Sequence, residues 1–268
     1  MSMLFHRHMK SQIAQSDIPV LMIHGLFGSL ENLAGVAKQL SAEREVYLID
    51  LPNHARSAHT NDTSHGKMAD AVAAWMQEHN LECADIVGHS LGGKVAMQLA
   101  LTTPSLVRHL VVIDIAPAHY TPHHTEVFDG LNSLDLKRVS NRREADAHMI
   151  QFVPNADVRS FLLKNLVKNT DASVDNKDNA FMWRFNLPVL SRDYALLIQG
   201  NVQAVFAGRV LFIKGGHSDY IIESYRHDIV SRFPHAAVKV VNDTGHWLHA
   251  EKPVVTAGII SRFITGHA

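Results

Sequence analysis

Cysteine is almost absent from this sequence: Cys83 is the single thiol among 268 residues. One thiol cannot build an internal disulfide framework, which excludes the small cross-linked secreted scaffolds and fits a reducing compartment. Cys83 lies just before a short apolar strand, where a small buried residue is expected rather than a second nucleophile. Charge of one sign is not in excess either, since 25 Lys and Arg meet 26 Asp and Glu for a formal net charge of −1. That balance offers no footing for nucleic acid or a charged membrane surface. No uninterrupted apolar stretch is long enough to span a bilayer, and Met1-Ser2-Met3-Leu4-Phe5-His6 is not a charged segment followed by an apolar run. The expected setting is cytoplasmic, with a small molecule as partner. No H-E-x-x-H or cysteine–histidine pattern marks a metal site, and there is no repeat or low-complexity linker. Oligomeric state is not legible.

What is present is an alternation of apolar strands and amphipathic helices. The chain is long enough for one large α/β domain with an insertion. Strands are expected at Val20–Ile23, Val46–Ile49, Ala84–Val87, Leu110–Ile113, Val210–Ile213 and Ala237–Val241. Helices are expected at Glu31–Leu40, Met68–His79, Lys94–Leu101 and Val254–Ile264. This order implies a doubly wound, mostly parallel sheet with helices on both faces. The rhythm breaks between Ala118 and Gln203, where only helical patterns are read. Asn155 is placed to cap one helix, with Val158, Phe161, Leu162 and Leu166 on its apolar side, while Ser140 and Pro188 mark the starts of neighbours. The division is therefore a core of residues 1–117 and 204–268, with an all-helical cap at 118–203 folded over the strand ends.

The strongest chemical signal is Gly88-His89-Ser90-Leu91-Gly92, set between a strand and a helix. A serine on so sharp a turn has its hydroxyl held clear of the sheet, and glycines two residues either side avoid collision. His246, in the loop after the last strand, is placed to take the serine proton and return it. Its loop position and chain order, rather than its residue type, single it out from the other 18 of 19 histidines. His24-Gly25-Leu26-Phe27-Gly28 follows the strand at Val20, where the N–H groups of Leu26 and Leu91 would converge on a developing oxyanion. Phe27 lines an acyl pocket or belongs to the core. Two aspartates qualify as the acid: Asp114, ending the strand Leu110–Ile113, and Asp219, after the next strand. Spacing alone leaves the pair open.

These segments, with Asp114-Ile115-Ala116-Pro117, Trp183-Arg184-Phe185-Asn186 and Gly245-His246-Trp247, spread over nearly the whole chain. Together they resemble α/β-hydrolase-fold esterases, most of all the small capped bacterial esterases of the YbfF type, and are also similar to mitochondrial ABHD-type relatives. The resemblance implies Asp114 as the acid, with Ser218 supporting it. Asp219 departs from those relatives and stays a rival. The relatives carry an arginine near the cap entrance; here the region reads His119-Tyr120-Thr121-Pro122-His123-His124. A histidine anchor such as His124 would change charge around neutral pH. Arg184, Tyr220 and Trp247 are further candidate substrate contacts, with Arg184 equally placed to brace the cap. Asp50–Ser57 is read as architectural, and Lys94 as facing solvent or packing its stem.

The implied activity is hydrolysis of carboxylic esters or acyl thioesters through an acyl-enzyme, with Ser90, His246 and Asp114 as triad and no cofactor. A carbon–carbon hydrolase or lyase with the same triad is the enzymatic alternative. A non-catalytic ligand-binding protein on this fold would normally have lost one of the three.

Overall fold

The computed structural model describes residues 3–11, 13, 16–169 and 181–266. Strands run at His6–Met9 (β1), Val20–Ile23 (β2), Val46–Ile49 (β3), Ala84–His89 (β4), Val107–Ile113 (β5), Leu166–Lys168 (β6), Phe181–Trp183 (β7), Arg209–Gly215 (β8) and Ala236–Val241 (β9). Seven of them form one sheet in the order β1-β3-β2-β4-β5-β8-β9. Only β1 runs antiparallel to its neighbour; the other pairings are parallel. β1 was not foreseen, because His6-Arg7-His8-Met9 has no apolar alternation and borrows its order from the edge of β3.

The helices are Ala34–Leu40 (α1), His65–Glu78 (α2), Leu91–Thr102 (α3), Thr125–Ser133 (α4), Arg142–Met149 (α5), Ala156–Leu163 (α6), Leu187–Arg192 (α7), Tyr194–Leu197 (α8), Arg226–Arg232 (α9), Leu248–Glu251 (α10) and Pro253–Thr265 (α11). The expected helix at Glu31–Leu40 opens instead as a tighter turn over Leu30–Leu33. Among the described residues, no helix is long and apolar enough to cross a membrane.

Both faces of the sheet are covered, which explains why β2 is apolar at every position. Leu21 and Ile23 join a core with α2, α3 and the inserted segment, while Val20 and Met22 join a second core with α1 and α11. α3 is buried from Leu91 through Leu101, including Lys94 and Gln98. Lys94 therefore does not face solvent; its whole side chain is enclosed, at 1% exposure.

The segment between β5 and β8 carries α4 to α8 and, against the all-helical expectation, the antiparallel pair β6–β7. Residues 170–180 of that segment lie outside the described residues. Asn155 does cap α6, accepting from the Asp157 and Val158 N–H groups at 2.9 and 3.2 Å. The helix stops at Leu163, so Leu166 begins β6 rather than extending the apolar helix face. α5 is capped by Asn141, one residue after Ser140, and Pro188 sits in the first turn of α7. Two neutral bonds hold the stems of the insertion side by side, Tyr120 N–H to Ile198 O and Asn201 N–H to Pro117 O, both 2.9 Å.

Candidate active site

Sheet register brings the chemistry together. His89 of β4 pairs with Ile113 of β5, so Ser90 and Asp114 leave adjacent strands at the same level. Ile23 of β2 pairs with Gly88, which puts the Gly25–Gly28 loop beside the elbow on its other side. These are carboxyl ends of neighbouring parallel strands, where an open α/β sheet leaves a crevice.

Ser90 has φ 52° and ψ −119°, a strained conformation for a side-chain-bearing residue. The turn is so tight that a Cβ on Gly88 would lie 2.2 Å from Gly92 O, and one on Gly92 would lie 2.3 Å from Ile23 O. Leu91 is the first residue of α3, and its N–H belongs to the helix-terminal donors that no intrahelical carbonyl satisfies. Leu26 lines the crevice with Ser90 from the facing loop.

Asp114 is fully buried, with φ 54°. Its Oδ1 accepts from Gly215 N–H at 2.9 Å, and its Oδ2 accepts from the Ser218 hydroxyl and from His246 Nδ1–H, the latter at 2.8 Å. Asp219 is exposed and outside this network. Holding Nδ1–H on Asp114 leaves Nε2 of His246 as the basic nitrogen. Ser90 and His246 line the same cavity, although no hydrogen bond joins their side chains among the described residues. Such contacts often tighten only when substrate binds.

The imidazole is held by neighbours whose part in positioning it the sequence did not show, Tyr220 having been read there as a substrate contact. The Tyr220 ring stacks on His246 at 3.9 Å between centroids. Its hydroxyl donates to His123 Nε2 at 2.8 Å. The Tyr120 hydroxyl receives Ala116 N–H at 2.8 Å and donates to Tyr220 O, tying the segment after Asp114 to the Tyr220 turn. His89 Nε2–H donates to His246 O at 3.0 Å, so the residue before Ser90 fastens the histidine loop. Burial keeps His89 well below its ordinary range, and it stays neutral. The sequence signal for His89 was its place inside the elbow, without any hint of its partner.

The loop read as architectural braces the Gly25–Gly28 loop. Leu51 N–H donates to His24 Nε2 at 3.0 Å, and His24 Nδ1–H donates to Gly25 O at 2.8 Å. Because Nε2 is an acceptor there, the imidazole is neutral and its 3.9 Å approach to Asp50 is not an ion pair. Burial agrees, lowering its pKa to about 4. From the insertion, Asn165 Nδ2–H donates to Phe27 O at 2.7 Å. Asn186 donates to Asn53 through its backbone N–H at 2.9 Å and through its side chain at 3.0 Å.

Two cavities meet at Ser90. The larger is walled by Phe27, Val127, Val158, Phe161, Leu162 and Trp247. The smaller is walled by Leu91, Lys94, Tyr120, Tyr194 and Tyr220. Leu26, Ser90 and His124 belong to both. Phe27 is at once lining and core, 4% exposed and packed against Phe128 and Phe185. His124 is placed as expected, but not with the expected charge: burial, with help from His123 and His246, lowers it to about 4. It is neutral at pH 7. Arg184 lines neither cavity; its backbone N–H donates to Asn165 O at 2.9 Å. Among the described residues no cluster of histidine, cysteine and carboxylate groups is built to hold a metal.

The profile of the alpha/beta hydrolase fold family matches residues 18–253. The chain is 33% identical over 261 residues to esterase YbfF of Escherichia coli, covering 96% of this chain and 98% of that one. It is 33% identical over 254 residues to the mouse sn-1-specific diacylglycerol lipase ABHD11, covering 91% and 80% respectively. Among solved structures, an esterase from a marine microorganism superposes with a TM-score of 0.89 at 31% identity, covering 98% of this chain and all of that one.

Proposed function

The chain belongs to the alpha/beta hydrolase fold family, and we infer that it is a carboxylic ester hydrolase that works through an acyl-enzyme on Ser90. The observation that carries the reading is the His246–Asp114 bond of 2.8 Å in a cavity that also exposes Ser90 on its strained turn. Asp114 fixes the imidazole tautomer and offsets the positive charge that His246 gains when it takes the Ser90 proton. Ser90 Oγ attacks the ester carbonyl, and the N–H groups of Leu26 and Leu91 receive the oxyanion. Collapse expels the alcohol, which takes the proton back from His246. Water then repeats the sequence, with His246 again acting first as base and then as acid. The Ser90–acyl bond made in the first half is broken in the second, which releases the acid and returns the proton to Ser90.

Residues 118–203 act in this reading as a cap whose α4 and α6 side chains wall the apolar cavity, supported by Val127, Val158, Phe161 and Leu162 beside Ser90. An acyl thioester can enter by the same steps, because only the leaving group changes. The partner is a small ester in the cytoplasm, without nucleic acid or membrane, consistent with a net charge of −1 and a single cysteine. The named esterase relatives favour this chemistry over carbon–carbon cleavage.

A fluorophosphonate probe should label the wild type at one site, and Ser90→Ala should abolish both labelling and the burst of p-nitrophenol from a short-chain ester. Labelling that persists in Ser90→Ala moves the nucleophile elsewhere. An unlabelled, burst-free wild type supports instead a ligand-binding role for the cavity.

A further inference from the structure

The smaller cavity at Ser90 contains a buried charge that the ester chemistry does not use. Lys94 sits one helical turn after Ser90 on α3 and is 1% exposed. Its Nζ donates to Ala118 O, and to Gln199 O at 2.9 Å, and lies 5.0 Å from the centre of the Tyr120 ring. Ala118 is where the chain leaves the sheet for the insertion, and Gln199 is where it returns. A clamp on these stems is one use for Lys94, but a clamp needs donors and not a charge. The stems are already joined by Tyr120 N–H to Ile198 O and Asn201 N–H to Pro117 O. Asn201 Nδ2–H also donates to Lys94 O at 2.8 Å, adding a neutral tie to α3 itself.

The ammonium is electrostatically incomplete. An enclosed cation is costly unless an anion or a full set of acceptors meets it. Two of its three N–H groups go to neutral carbonyls. Among the described residues, no carboxylate forms an ion pair with it, and the cavity wall contains no Asp or Glu. Burial pushes its pKa down to about 7, with Arg232 lowering it further and Asp228 opposing. His124, the other nitrogen base shared by both cavities, is neutral at that pH. The remainder of the wall is tyrosine, histidine and aliphatic carbon, all able to surround an anion without repelling it.

We propose that the Lys94 cavity receives a carboxylate carried by the substrate close to its scissile ester, so that the enzyme selects short carboxylate-bearing esters over neutral ones. Ser90 and Lys94 line the same small cavity, which limits the spacer between the carboxylate and the scissile carbonyl to a few carbons. The apolar remainder of the substrate lies in the Phe161–Trp247 cavity. The carboxylate has two possible sources, the acyl side or the alcohol side of the ester.

This inference rests on ester hydrolysis at Ser90, and the test keeps the two apart. Monomethyl glutarate is compared with methyl pentanoate, and 4-acetoxybutanoate with butyl acetate, as kcat/KM at pH 7 by acid titration. One carboxylate ester should exceed its neutral counterpart by at least about tenfold, and which pair shows the effect identifies the side. Lys94→Met should bring that ratio to within about threefold of unity, while Lys94→Arg should retain most of it. A loss in Lys94→Met that is equal for both members of a pair, with the ratio unchanged, assigns Lys94 to stem clamping and overturns the proposal. So does a wild type that prefers the neutral esters. Independently of turnover, glutarate or 4-hydroxybutanoate should bind Ser90→Ala by calorimetry, and binding should fall at least about tenfold in Ser90→Ala/Lys94→Met. If neither ligand binds, the proposal fails; if one binds Ser90→Ala but no ester is cleaved by the wild type, the hydrolase reading fails and the carboxylate site stands.

Discussion

A carboxylate at the end of β5 does two jobs here, and both depend on its oxygens being separately engaged. Asp114 Oδ1 accepts the Gly215 N–H, so Oδ2 is directed at His246 and Ser218. Asp114→Asn would turn one of these acceptors into a donor, and the amide cannot offset an imidazolium. In a serine protease triad the equivalent change costs about 10⁴ in kcat, and a loss of several orders of magnitude is expected here. Asp219→Asn should leave kcat within about threefold, because that side chain is exposed and outside the network. Steady-state kinetics on both variants, after their melting temperatures are matched to wild type, decides the assignment. A large loss in Asp219→Asn with an active Asp114→Asn would reverse it.

Elements rather than single residues carry the alignment of the oxyanion loop. Phe27 has φ 57°, an uncommon value for an aromatic residue, and its carbonyl is met by Asn165 just before β6. The loop is therefore set from the sheet side by His24 and from the insertion side by Asn165. Asn165→Ala leaves the Phe27 carbonyl buried without that donor, a loss of about 1–3 kcal/mol. We expect kcat/KM to fall about tenfold or more, with the cost appearing in kcat if the Leu26 N–H drifts from the oxyanion. Asn165→Asp, which keeps shape but removes the donor, should behave like the alanine variant. Unchanged kinetics in both would place the loop's alignment entirely in the sheet. In this reading the insertion would act on the chemistry through the Asn165–Phe27 hydrogen bond as well as by walling the cavity.

At the scale of the whole molecule, neutral histidines make the fold sensitive to acid. Burial lowers His24 and His65 to about 4, and His54 and His249 to about 3, from an ordinary 6.5. For each, the unfolded chain takes up a proton near 6.5 while the folded chain does so only well below. Between those values the unfolded state binds more protons, so stability rises with pH and is lost as pH falls from about 6.5 toward 4. The slope is up to about 1.4 kcal/mol per pH unit for each such group. His24 is the most secure case, since its Nε2 already accepts Leu51 N–H and cannot be protonated without breaking that bond. Denaturant midpoints should drop steeply between pH 6.5 and 5, where several imidazoles contribute. They should keep rising gently between pH 7.5 and 8.5, where Lys94, lowered to about 7 by burial, is neutral in the folded chain and still protonated in the unfolded one. His24→Asn should make the acid limb shallower even if it lowers stability at pH 7.5. A midpoint that does not move between pH 6.5 and 5 would show that these imidazoles gain protons without unfolding.

The sequence by itself determined six of the seven strands of the sheet and the strand-to-helix turn at Ser90. Buried parallel strands must be apolar on both faces, and a strand-to-helix turn at Ser90 tolerates only glycine at Gly88 and Gly92, so both leave local marks. It also ordered the helices closely, missing Leu166 because a three-residue strand has no period to detect. Which aspartate serves His246 was not local information. Asp114 and Asp219 both follow strands, and only the parallel register, pairing His89 with Ile113 and Ile113 with Ile213, puts Asp114 level with Ser90 and within reach of the histidine loop. The same holds for charge. His124 and Lys94 read as an ionisable cap residue and a lysine facing solvent or packing its stem, and tertiary burial made the first neutral and enclosed the second beside Ser90. Composition gives the groups, but desolvation, which depends on every element packed around them, decides which of them are charged.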